Sequence, residues 1–200
     1  MSDCECKVEA ENAEQRKTLG YLLLINAMMF VLEVITGTLA QSTALIADSL
    51  DMLADALVYG ISLSAVGGTS LSKARAAYMG GIFQISLAVL VLFDAIRKFI
   101  FGSSPESSLM MGIGLVALMA NIVCLWLIAK HREGEVHMRA SWIFSKNDVI
   151  ANLGVISAGV MVSLSQSQIP DLITGMAIAI LVLRGGVQIL REVREAKARL

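Results

Sequence analysis

Six stretches of the chain are apolar enough and long enough to cross a bilayer. A helix needs about 20 mostly apolar residues for this, and such runs lie at roughly 19–38, 44–66, 77–101, 109–129, 141–164 and 171–190. They are rich in Leu, Ala, Met and Gly. They lack the alternation over about ten residues that marks a barrel strand. In lipid each helix must satisfy its own backbone, so the pattern predicts an all-α membrane protein of six transmembrane helices. It divides the chain into an N-terminal tail at 1–18, a transmembrane domain at 19–190 and a short C-terminal tail at 191–200. The leading segment has no succession of basic, apolar and small residues and so does not read as a signal peptide.

Lysine and arginine set the sidedness. Lys7, Arg16 and Lys17 precede span one, and Lys73 and Arg75 lie between spans two and three. Lys130, Arg132, Arg139 and Lys146 lie around the four–five loop, and Arg191, Arg194, Lys197 and Arg199 follow span six. With six spans these groups fall on one side. The loops near 39–43, 102–108 and 165–170 carry no basic residue, and only Arg97 and Lys98 approach that side. Both termini are therefore expected in the cytoplasm, in a multi-pass protein of the cell (inner) membrane.

Composition narrows the class further. The chain is 56% hydrophobic and 16% charged, against about 45–50% and about 25% in soluble domains. Its mean hydropathy is +0.71. Disorder is excluded by the apolar surface to be buried. A disulfide scaffold is excluded by three cysteines, an odd and small number. A net charge of −1 gives a nucleic-acid partner nothing to bind.

Ionisable residues inside a span cost at least about 2.5–3.5 kcal/mol each and so point to function. Span two carries Asp48, Asp51 and Asp55. Residues three or four apart share a helix face. Three carboxylates on one stripe repel each other unless a cation or protons neutralise them. Span five carries Asn147, Asp148 and Asn152, the last two again four apart. Two helices each offering such an oxygen pair can enclose one divalent cation in four-coordinate geometry. Asp48 also reads as a cap near the start of span two. Glu33, Asn26, Gln84 and Asn121 read as hydrogen-bonding glue between helices or as a pathway lining. Asp94 has Arg97 and Lys98 three and four residues on, which predicts a local ion pair.

These residues resemble the cation diffusion facilitator family. The likeness is sharpest over Ser42-Thr-Ala-Leu-Ile-Ala-Asp48-Ser-Leu-Asp51-Met-Leu-Ala-Asp55. The family pattern there is Ser-x-Ala-Leu-x-Ala-Asp, then His or Asp, three residues, and Asp. Glu33, Gly37 and Asp171 fit the surrounding pattern. The resemblance implies six spans and export of divalent metals from the cytoplasm in exchange for protons. It implies a mid-membrane metal site between spans two and five at Asp51, Asp55, Asp148 and Asn152. Zinc is the foremost cargo, with cadmium, cobalt, iron(II) and manganese beside it, and the metal is substrate rather than prosthetic group.

Three departures stand out. Asn152 falls where the family usually has a carboxylate, so one ligand cannot ionise. No histidine falls in the site, and all-oxygen ligation shifts preference toward manganese, iron or cobalt. The chain stops after span six, where most relatives continue into a metal-sensing domain, so a short form is expected, with a homodimer held by membrane helices. The segment Gly67–Ala76 lacks the His and Asp of a secondary site found in some relatives.

Other features carry less. Cys4 and Cys6, with Glu5 and Glu9, offer an accessory site for a thiophilic metal, or simply a flexible reduced tail. Asp48, Asn147 and Glu33 are accessory candidates at the main site. Cys124 reads as packing, and the loop holding His131 and His137 as solvated. No enzyme motif such as His-Glu-x-x-His is present, so no enzyme is expected. The competing reading is a non-transporting membrane partner or regulator of another transporter, with Asn152 marking a lost site.

Overall fold

The computed structural model describes the backbone of residues 2–65, 70–129 and 136–198, with side chains over 13–63, 77–129, 142, 145–191 and 193–194. Its elements are α1 (Ser2–Leu39), α2 (Thr43–Ala65), α3 (Ser70–Phe101), α4 (Ser107–Ala129), α5 (Val136–Ser165) and α6 (Ile169–Ala198). Among the described residues there is no strand, so the protein is all-α. Five segments are long and apolar enough to cross a membrane: Ala13–Leu39, Ala77–Phe101, Ser107–Ala129, Ser145–Ser165 and Ile169–Arg191. α2 has comparable length but carries its three aspartates. α1 and α6 run well beyond their apolar runs. The flanks Lys7–Lys17 and Arg191–Ala198 consist mostly of Glu, Ala, Lys, Arg and Gln, strong helix formers with no glycine or proline to stop the helix.

α2 lies at the centre and packs on α1, α3, α5 and α6, while α4 pairs with α5 and α3 with α6. The main core joins Leu45 and Leu50 of α2 to Val91, Met110, Val155 and Val182. The outer faces stay apolar and exposed, as at Phe83, Phe93, Phe99, Trp126 and Leu164. Such a surface is stable only against lipid.

The three loops without basic residues gather at one end. Glu106 N donates to Ala40 O at 2.9 Å, Ser104 N donates to Gln41 Oε1 at 3.3 Å, and Ser103 Oγ donates to Gln168 Oε1 at 2.7 Å. The α1–α2, α3–α4 and α5–α6 connections therefore share a side, as alternating antiparallel spans require.

At this end α2 is capped with unusual completeness. Ser42 is its N-cap, and Ser42 Oγ accepts from Leu45 N at 3.1 Å. Asp171 of α6 takes the next free donors: Thr43 N on Oδ2 at 2.8 Å and Ala44 N on Oδ1 at 3.0 Å. Ser42 Oγ donates to the same Oδ1 at 2.5 Å. Lys98 Nζ closes the corner on Gln41 O and Thr43 Oγ1. Helix–helix approach here depends on Gly175, where an added Cβ would stand 2.7 Å from the backbone carbon of Thr43. Farther along, Gly81 and Gly186 bring α3 and α6 together, an added Cβ on each coming within 3.3 Å of the other's carbonyl oxygen.

Candidate functional site

The i, i+4 spacing brings Asp51 and Asp55 to one side of α2, and α5 delivers Asp148 opposite them. All three line a cavity of about 650 Å³ between α2, α3, α5 and α6. Asn147 and Gln84 line it as well. At 1.5 Å per residue, Asp51 and Asp55 lie about 12 and 18 Å along α2 from Thr43. Tyr59 OH donates to Asp55 Oδ2 at 2.8 Å, while Asp148 Oδ2 is buried without a partner. Among the described residues no three His, Cys, Asp or Glu side chains already surround a single point as metal ligands would.

Asp48 and Asn152 do not border the cavity. Both are fully buried, and Asn152 Nδ2 donates to Asp48 Oδ2 at 2.7 Å. Asn152 Oδ1 accepts from Asn121 Nδ2 at 2.9 Å. The Asn152 amide is thus engaged at both ends. A carboxylate could not donate to Asp48 as this amide does. Asp48 Oδ1 has no partner, nor has either oxygen of the fully buried Glu33, which interacts electrostatically with Asp48 and Asp51. None of the carboxyl groups at 33, 48, 51, 55 and 148, all buried except the half-buried Asp51, forms an ion pair among the described residues.

Other expectations resolve simply. Asp94 accepts from Arg97 at 2.8 Å and pairs with Lys98 at 2.9 Å. Cys124 packs in a buried cluster with Leu19, Leu22, Tyr59 and Ile128. Gln84 Nε2 donates to Val182 O at 3.0 Å and so ties α3 to α6. The side chains of Cys4, Cys6 and His137, and residue His131, lie outside the described residues, as do the side chains of 67–76. The pattern reading passed over Arg184, which lines the same cavity from α6. Its signal was in plain view: it is the lone charge between Asp171 and Arg191, at a cost that marks function in a span.

Residues 19–196 match the family description "Cation efflux transmembrane domain". The chain belongs to the cation efflux family. It is 27% identical over 189 residues to the zinc transporter ZitB of Escherichia coli, covering 88% of this chain and 60% of the relative. It is 28% identical over 190 residues to ZitB of Pectobacterium atrosepticum, with 88% and 59% covered. To the cadmium, cobalt and zinc/H(+)-K(+) antiporter of Bacillus subtilis it is 22% identical over 196 residues, with 91% and 63% covered. The chain spans about 60% of the length of these curated relatives. Family and fold together make it a multi-pass integral membrane protein.

Proposed function

We propose that this cation efflux protein carries divalent metal ions out of the cytoplasm, zinc foremost, in exchange for protons. The observation that carries the reading is the meeting of Asp51, Asp55 and Asp148 on one cavity with no basic side chain paired to them among the described residues. Fully ionised, they offer a charge of −3 and hard oxygen ligands suited to a divalent cation. Metal ligands must be deprotonated, so binding releases protons. Protons arriving from the far side reverse the exchange. The names of the relatives, a zinc transporter and a cadmium, cobalt and zinc antiporter, support both cargo and coupling.

Asp51, Asp55 and Asp148 are the ligands, with Asn147 beside them on the cavity wall. Asn152, the fourth position of the motif, serves through its grip on Asp48. Glu33 and Asp48 extend the acidic zone toward α1. All six helices span the bilayer, with both termini cytoplasmic, in the inner membrane, and copies pair through their membrane helices. The clustering of the loops that lack basic residues supports this sidedness. The engaged amide of Asn152 is the observation that favours the second reading, a non-transporting partner of another transporter.

Uptake into proteoliposomes separates the two. Zinc, cadmium, cobalt, manganese and iron(II) are offered under a proton gradient to wild type and to Asp51→Ala. The antiporter moves at least one metal, and Asp51→Ala stops it. Folded wild type that moves none of them overturns the reading and leaves the partner role.

A further inference from the structure

Arg184 shares a cavity with three carboxyl groups, yet its guanidinium forms no ion pair among the described residues. Arg184 lies seven residues before Arg191, about 10 Å along the helix, within the apolar segment Ile169–Arg191. The backbone beneath it is fixed. Gln84 holds the carbonyl of Val182, and its Nε2 lies 3.2 Å from where a Cβ on Gly185 would stand. The side chain itself is exposed to the cavity and long enough to move.

We propose that Arg184 is a tethered counter-cation that sets the metal affinity of the site. The inference rests on the reading of Asp51, Asp55 and Asp148 as the metal site. With those groups ionised, Arg184 brings the cavity from −3 to −2, the charge that one divalent ion neutralises. A bound metal meets like-charge repulsion from the guanidinium. This repulsion weakens binding and favours release, which a transporter needs and a storage site does not. Arg184 is therefore a specificity and release residue, not a ligand.

Cadmium binding to the purified full chain in lipid nanodiscs tests this by calorimetry, alongside cadmium flux in proteoliposomes. Asp51→Ala tests the site itself, and must lose cadmium binding if that reading holds. Arg184→Gln is expected to bind cadmium about tenfold more tightly, the effect of ~1.4 kcal/mol of repulsion removed, and to turn over more slowly. Arg184→Lys keeps the charge and stays near wild type. Arg184→Met provides a second neutral variant should Arg184→Gln not accumulate. Unchanged or weaker binding in a neutral variant, with Asp51→Ala inactive, overturns the role of Arg184 and spares the site. Wild-type affinity in Asp51→Ala sinks the site reading, and this inference with it. Failure of both neutral variants to fold, with Arg184→Lys folded, assigns the charge to stability and also overturns the proposal.

Discussion

Asp171 offers the sharpest test of how this bundle is held. Its carboxylate accepts three hydrogen bonds, from Ser42 Oγ, Thr43 N and Ala44 N. Asp171 and its three partner residues are all 0% exposed, so water cannot replace what is removed. In Asp171→Ala two backbone donors of the first turn of α2 lose their partner. Bonds to a charged group contribute about 1.5–3 kcal/mol each, and they are not additive. Three at the lower end give ~4.5 kcal/mol. Ser42 still caps Leu45 N, so the loss should be about 3–5 kcal/mol rather than more. At about 2–4 °C per kcal/mol for a chain of this size, Tm falls by about 10 °C. Asp171→Asn keeps the volume, but its amide hydrogens cannot serve donors on both sides, so it should recover less than half of the loss. Ser42→Ala removes one donor together with the local cap and should cost about 1–2 kcal/mol. Thermal unfolding in detergent, followed by Trp126 and Trp142 fluorescence, measures all three. A Tm for Asp171→Ala within 2 °C of wild type, on the order of 1 kcal/mol or less, would show that the junction between α2 and α6 does not depend on this carboxylate.

Two further outcomes follow from packing and from the buried amide. Gly175→Val puts a side chain where the backbone of Thr43 already lies, with 2.7 Å to a carbon that cannot give way. It should cost at least about 3 kcal/mol and sharply reduce the monodisperse fraction on size exclusion. Gly112→Ala, with nothing within 4 Å, should gain up to about 1 kcal/mol; equal behaviour of the two variants contradicts the close helix approach. Asn152→Ala strips Asp48 of its single hydrogen bond and should lower stability by about 3 kcal/mol. Adding Asp48→Ala should return most of that loss in thermal unfolding, and a double variant no better than the single one refutes the pairing.

Much of the architecture was legible because the bilayer leaves few alternatives. Length and hydropathy locate five apolar segments able to span, with α2 and its three aspartates outside that set, and the basic residues anticipate which loops share an end. The helix limits were less visible. α1 continues back to Ser2 through residues that form helix without any apolar signal. At the site, the i, i+4 rule placed Asp51 and Asp55 on one face correctly, because that relation is internal to one helix. It could not say how α5 is rotated against α2. This rotation brings Asp148 to the cavity and turns Asn152 away to Asp48. Asp171 was visible as a pattern position, but its partners lie 127–129 residues away, beyond any local rule. Arg184 needed no structure to be noticed, only the rule already applied to the aspartates.

α2 emerges as a helix whose acidic stripe runs through two environments. Asp51 and Asp55 border the open cavity, where an ion can reach them and Arg184 can answer their charge. Asp48, one turn nearer the start of α2 on the same stripe, is sealed with Glu33, and a hydrogen bond from Asn152 holds it. An unpaired buried charge costs several kcal/mol, and a whole fold is stable by only about 5–15 kcal/mol. Glu33, Asp48, Asp55 and Asp148 are buried and Asp51 half-buried, and such a cluster cannot be wholly ionised and unpaired in a folded resting state. Protons or a bound cation must remove some of these charges, and Arg184 can offset one. Metal binding can neutralise the cavity group but cannot reach Glu33 and Asp48 without reorganising α1 against α2. The cavity carboxylates are therefore the ones whose charge can change with cargo at small cost to the fold. That division of labour is why the transport reading centres on Asp51, Asp55 and Asp148 rather than on the whole acidic stripe.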